Sequence, residues 1–213
     1  MATDIATGWS ESLPIVMRDG AVVLTALQLI RRQLPFSLRG IDADNDPVFM
    51  NSLMEAWCDR PGQQIVLTRS RAYTSNDQAW VEQKNGMLVR RVVGYQRLVS
   101  LEAAQVLGEL YGALRLFTNL FQPSFKLKSS ERDGGRIKRQ HHPPRTPLQR
   151  LLARAGYSRP VEILCGLHGE PGGSAGLGGM DARSLIRDPA SSRDTASPRS
   201  FRASFWRLSL GSE

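Results

Sequence analysis

Cysteine is scarce in this chain: Cys58 lies in a helical pattern and Cys165 in a Gly-rich tail. Two isolated thiols make no disulfide framework and show no metal-ligand spacing, so both are expected to be reduced spectators. No run of about 18 apolar residues occurs, and a membrane-spanning helix is not expected. The opening residues MATDIATGWSE carry no charged region leading into an apolar stretch, which argues against a secretory signal and makes the cytoplasm the default compartment. No internal repeat is visible. At 213 residues the chain is long enough for one ordinary domain with appendages and too short for two full ones. Apolar residues make up 41% and charged residues 23%, close to globular averages.

The formal charge of +8 is unevenly placed. Residues 1–125 hold 12 Lys+Arg against 12 Asp+Glu, residues 126–160 hold 10 against 2, and residues 161–213 hold 6 against 6. The whole excess sits in one basic block, the pattern that phosphate neutralisation on nucleic acid requires; a solvated basic linker would look the same by charge alone.

Local patterns suggest how the chain is organised. Ile5, the turn Ala6-Thr7-Gly8 and the segment Trp9 to Val16 read as a hairpin. Apolar residues at Val22, Val23, Ala26, Leu27, Ile30 and Leu34 predict an amphipathic helix ended by Pro35. Leu38 to Ala43 suits a buried strand, Asp44-Asn45-Asp46-Pro47 a turn and helix start before Val48 to Trp57, and Gln63 to Thr68 a further strand. Ser75 and Gln78 fit a capping box opening a helix that runs to about Val93. A second long helix carries Ala103, Val106, Leu107, Leu110, Leu114, Phe117 and Phe121 and stops before Pro123. Strand and helix alternate, which predicts an α/β fold with a partly parallel sheet over residues 1–122. Residues 123–155 form a basic extension with a short helix from Pro147 to Arg154. From 156 to 213 the tail is rich in Gly, Arg, Ser and Pro, with 8 Gly in residues 156–180, and is expected to be poorly ordered.

Two carboxylates stand at special places. Asp44 ends a predicted strand, and Glu82 lies about two turns into a capped helix, with 37 residues between them. A carboxylate at a strand end and one on a neighbouring helix can converge on a hard divalent cation; a turn cap and a surface helix residue would fit the same periodicity.

The segments around them carry a resemblance. DADNDPVFMN at 42–51 resembles the D-N-G-x-E-F-x-N segment around the second catalytic Asp of DDE transposases and retroviral integrases, matching at Asp44, Asn45, Phe49 and Asn51. NDQAWVEQKNG at 76–86 resembles the segment holding the third carboxylate, with Glu82 matching. TRSRAYTSND resembles the family's T-x-S-R-P-Y-x-x-N-D, with Ala72 in place of Pro. TDIATGWSE at 3–11 is similar to its second-strand segment, and LYGALRLFTNLFQPSFKL and HHPPRTPLQRLL are similar to its downstream stretches. The resemblance covers roughly residues 1–155.

The resemblance implies a ribonuclease-H-like mixed sheet flanked by helices, and the DNA integration chemistry of a bacterial insertion sequence. Asp44 and Glu82 would be catalytic and would hold Mg²⁺ or Mn²⁺. DNA would be the partner, with self-association left open and no membrane involved. DNA contacts are expected from Lys84, Arg90, Arg91, Lys126, Lys128, Arg136, Lys138 and Arg139.

Departures accompany the matches. The family's first catalytic Asp lies on a strand upstream of the segment that here begins at Thr3, so the resemblance implies a core short of its first strand and defective in catalysis. Asp4 is expected to serve packing or a turn. Asp46 stands where the family has Gly, and Val48 where it has Glu; an Asp tolerates a tight turn less well and adds charge beside Asp44.

Overall fold

The computed structural model describes residues 1–43, 46–70, 86–95, 98, 100–154 and 206–209. The chain opens with a tight hairpin, β1 (Ala2–Asp4) pairing antiparallel with β2 (Ser10–Glu11) in the register Ala2 to Glu11. Its turn is organised by Asp4, whose Oδ2 accepts from the Thr7 amide at 2.7 Å and the Thr7 hydroxyl at 2.6 Å. Gly8 closes the turn at φ +81°, a backbone region that favours a residue without Cβ.

Helix α1 (Gly20–Gln33) forms as its apolar spacing predicts. Asp19 caps it, accepting from the amides of Ala21 and Val22, and Arg31 and Arg32 complement the dipole in its last turn. Val22, Val23, Ala26, Leu27 and Ile30 are the buried face. Helix α2 begins later than the sequence suggests, at Ser52, and runs to Cys58. Residues 46–50 fold first into a turn in which the Asp46 carbonyl accepts from the amides of Phe49 and Met50. Asn51 then caps α2: its Oδ1 accepts from the Met54 amide at 3.0 Å, while its Nδ2 donates to the Val48 carbonyl at 2.8 Å.

This cap leaves no room at the start of α1. A Cβ on Gly20 would lie 2.7 Å from Asn51 Nδ2, inside any real contact. Gly20→Ala should therefore destabilise the chain by about 1–3 kcal/mol, the usual cost of overpacking, despite alanine's better helix propensity. Chemical denaturation checks it: a midpoint equal to or above that of the parent would show that the Asn51 cap yields freely.

The main sheet adds β3 (Gly40–Ala43), β4 (Val66–Arg69) and β7 (Trp206–Ser209) in the order β2-β1-β7-β3-β4. Strands β3 and β4 pair parallel from Gly40–Val66 to Ala43–Arg69, as the α/β reading requires. Strand β7 departs from it. It lies between β1 and β3, parallel to the first and antiparallel to the second, so part of the tail expected to be poorly ordered is the central strand. The pairing is supplied by two backbones across the sequence, which local composition does not report. The rest of the tail, residues 156–205 and 210–213, lies outside the described residues.

One face of the sheet bears the main apolar core, with Asp4 and Glu11 buried at its β1–β2 end. Ala2, Ile41 and Ala43 pack with Val23, Leu27 and Ile30 of α1, with Phe49, and with Met54, Trp57 and Cys58 of α2. Cys58 is 1% exposed, and burial, with Asp59 beside it, pushes its thiol up to about 11.

Helix α3 is one turn (Arg91–Val93), preceded by a π-helical turn at Gly86–Arg90. Helix α4 (Leu101–Leu116), capped by Ser100, runs into a second π-helical turn at Phe117–Phe121 before Pro123. Asn119 closes the sheet edge, donating to the Ser10 carbonyl and accepting from the Ser10 amide, both at 2.9 Å. This occupies the open pairing groups of β2.

The basic extension is a β-ribbon, β5 (Leu127–Asp133) with β6 (Arg136–His141). The Gly134-Gly135 turn explains it, since Gly134 sits at φ +60° and a two-residue loop of this kind matches strand twist. The extension is also no mere appendage: in α5 (Pro147–Leu152), Leu151 is fully buried with Trp9 and Phe36, and Thr146 and Gln149 form a capping box.

Candidate nucleic-acid interface and carboxylate site

The two parallel strands β3 and β4 end together, Ala43 opposite Arg69. Asp44 follows Ala43 directly in the chain, and the segment holding Glu82 follows Ser70. Beyond the carboxyl ends of parallel strands is where open α/β sheets place ligands, because the chain departs there into loops. Asp44, Glu82 and Lys84 themselves lie outside the described residues. Among the described residues, no group of three His, Cys, Asp or Glu side chains could hold a metal ion.

Asp4 has the role its position suggested. It is fully buried, its Oδ2 holds the Thr7 turn, and its backbone pairs through Leu208 with Ile41, three residues before Asp44. Asp46 is more comfortable than the sequence implied. Its φ is not positive, Gln64 being the one described non-Gly residue in that region, so Asp costs no strain in this turn. Its Oδ2 pairs with Arg18 and its Oδ1 accepts from the Val48 amide at 3.1 Å, so the added charge is matched locally.

Sequence reasoning overlooked Asp42. By strand alternation it points away from Ile41, Ala43 and the helices. Its Oδ1 accepts from the Thr68 hydroxyl at 2.8 Å and its Oδ2 from the Ser70 hydroxyl at 3.1 Å. The backbone register sets Ser10 and Thr3 in line with Asp42 and Thr68 across the sheet, through position 207 of β7. The alternating carboxylates of DADND were the available signal.

The expected DNA-contacting cations fall into different classes. Lys126 is half-buried and donates to the Ile5 carbonyl at 2.7 Å, which ties the ribbon's base to the hairpin turn rather than offering a surface charge. Arg150 is likewise a tie, donating to the Thr7 carbonyl at 3.0 Å and the Ser124 hydroxyl at 3.1 Å. Burial, then the nearby Arg145, lowers its guanidinium pKa. Lys138 pairs with Asp133 at 2.8 Å. Arg136 stands opposite Asp133 in the backbone register, and Lys128 sits where the register shifts. Lys128 and Arg139 are exposed. Arg90 lies over the exposed Tyr95 ring at 5.6 Å, and Arg91 is exposed.

The fold is therefore a mixed α/β protein with a projecting basic ribbon. No family model matches the chain. It is similar to a protein named only as uncharacterized protein y4rM, from Sinorhizobium fredii, with 53% identity over 148 residues. Those residues are 70% of this chain and 42% of that protein, so the chain spans less than half the length of this relative.

Proposed function

We propose that the chain is part of the catalytic core of a DDE-type transposase, with a ribonuclease-H-like sheet and a DNA phosphodiester as substrate. The observation that carries this is the coincidence of motif and topology. Both segments that resemble the family's carboxylate motifs follow the carboxyl ends of the paired parallel strands β3 and β4, in a mixed sheet where β7 separates that pair from the antiparallel β1–β2 hairpin.

The donor chemistry suits Mg²⁺ or Mn²⁺, since Asp44 and Glu82 offer hard oxygen ligands. When bound, such ions would activate water or a 3′-hydroxyl and stabilise the leaving oxygen. Asp44 and Glu82 would hold them; Thr68 and Ser70 orient Asp42 beside that strand end, while Asp4 is committed to the turn. Two of the family's three carboxylates are under-strength for a metal pair, so this chain by itself should bind DNA without cutting it.

A plasmid-nicking assay with Mg²⁺ and with Mn²⁺ tests the proposal, run on the chain, on Glu82→Gln, and on a version extended with an Asp-bearing strand. Nicking is expected from the extended version alone. No nicking by any version would refute the catalytic reading. Nicking by the chain itself, abolished in Glu82→Gln, would show that two carboxylates suffice. The exposed basic ribbon favours a second reading, a DNA-binding protein without catalysis.

A further inference from the structure

The β5–β6 ribbon has two chemically different faces. Its register pairs Glu131 with Lys138 and Asp133 with Arg136, which puts both acidic residues of the ribbon on one side, where Lys138 is bridged to Asp133. The opposite side follows from Ser130 opposite Arg139, Arg132 opposite Ile137 and Leu127 opposite His141. That side has two arginines, a histidine and no acid. It is also apolar in part: Ile137 is 52% exposed, Leu127 46% and Phe125 63%, and the Phe125 ring meets His141 edge-on with centroids 6.1 Å apart.

We propose that this acid-free face, with Arg132, Arg139 and His141, is a duplex-DNA-binding surface that lies in the major groove. The inference rests on the DNA-binding part of the function proposed above and needs none of its metal chemistry. Charge selects a polyanion for this face, because among the described residues its arginines face no carboxylate across the ladder, while Lys138 on the other face is bridged to Asp133. Shape selects the duplex. A two-stranded ribbon fits the roughly 12 Å major groove of B-form DNA, whereas the major groove of A-form RNA is too narrow for side chains to read. Gly134 and Gly135 make the tip narrow, with nothing within 4 Å of where their Cβ atoms would be. The arginines stand on diagonal neighbours of the ladder, where each can reach a phosphate or a guanine edge; Ile137 and Leu127 offer contact to thymine methyls. A ribbon exposed on both sides has no core of its own, so burial on a partner would also order it.

The experiment is fluorescence anisotropy of a labelled DNA duplex titrated with the whole chain, without divalent metal, across about 50–200 mM salt. Arg132→Ala/Arg139→Ala should weaken binding about tenfold or more and lower the log-affinity against log-salt slope by about two. Lys138→Ala, on the opposite face, should cost less than about threefold. An RNA duplex of the same sequence should bind several-fold more weakly. If the alanine pair melts early, Arg132→Gln/Arg139→Gln replaces it, keeping the side-chain stems. Equal loss from both faces, no loss from the arginine pair, or equal binding of RNA would overturn the proposal. Because nicking is not measured, failure of the transposase reading leaves these outcomes untouched.

Discussion

Arg115→Ala should be among the most destabilising single changes to the fold, costing about 3–5 kcal/mol near neutral pH. Glu11 is 1% exposed in β2, and Arg115 of α4 reaches it with Nε 2.7 Å from Oε2; the Trp9 indole donates to Oε1 at 2.7 Å. The same guanidinium donates to the Gln33 carbonyl at the end of α1 at 2.6 Å, so one side chain ties sheet edge, α1 and α4 together. Burial raises the Glu11 pKa, while Arg115 and Trp9 hold it down. Without Arg115 the carboxylate would be a buried charge with no counterion, and protonation would become its relief. The sign follows from the raised value. Below the unfolded value of 4.5 the proton is bound in both states, and the favourable contribution is lost as pH rises through the folded pKa. The Arg115→Ala deficit should therefore shrink as pH falls towards the carboxylate range. Denaturant melts at several pH values check this, and a deficit independent of pH would show that lost packing alone sets the cost. Replacing both partners with apolar residues, Glu11→Leu/Arg115→Met, should cost less than Arg115→Ala, because no buried charge is then left alone.

In the strand-extended version, Asp44→Asn and Glu82→Gln should each reduce Mg²⁺-dependent nicking by about a thousandfold or more. Each would remove an anionic oxygen from the proposed metal site, whose transition-state contribution would be several kcal/mol, and about 1.4 kcal/mol corresponds to tenfold in rate. Asp4→Asn is the contrasting variant. Its carboxylate holds the Thr7 turn, so the loss should appear as a lower melting temperature with nicking retained at low temperature. Asp42→Asn distinguishes the two acids of the DADND segment: it alters acceptors of Thr68 and Ser70 on β4 but should leave metal dependence intact. A larger nicking defect for Asp42→Asn than for Asp44→Asn would reassign the ligand. Rates at saturating DNA, with melting temperatures measured in parallel, separate chemistry from folding.

Much of the two-layer arrangement is legible without coordinates. The apolar periodicity of α1 is a one-dimensional record of its buried face, and all five residues from Val22 to Ile30 that bury were visible in it. The strand segments before Asp44 and after Gly62 also declared themselves, because a short apolar run between turn residues has few alternatives. Boundaries were less visible. Helix α2 starts at Ser52 because the carbonyls of Asp46, Pro47 and Val48 are engaged by Phe49, Met50 and Asn51, a competition among caps that propensity does not rank.

Charge counting located the basic block but did not show how its members are partnered. Lys126 and Arg150 are ties to the hairpin turn, and Lys138 is paired across the ribbon, while Arg132 stands opposite Ile137. Composition counts charges; only strand register decides which of them share a face with an acid, since alternation reverses with a shift of one residue. The Gly134-Gly135 pair was the local signal that could have revealed the ribbon.

By itself, then, the sequence determined the α/β class, the buried stripe of α1, the parallel relation of β3 and β4, and the chain positions of Asp44 and Glu82 beyond their strands. Each is encoded by residues close in the chain, through periodicity or turn chemistry. The tertiary structure alone decided that Trp206–Ser209 enters the sheet between β1 and β3, that Glu11 meets Arg115, and that the ribbon keeps its acids on one side. Those outcomes depend on backbone pairing and burial between segments as many as two hundred residues apart, where no local pattern carries the information.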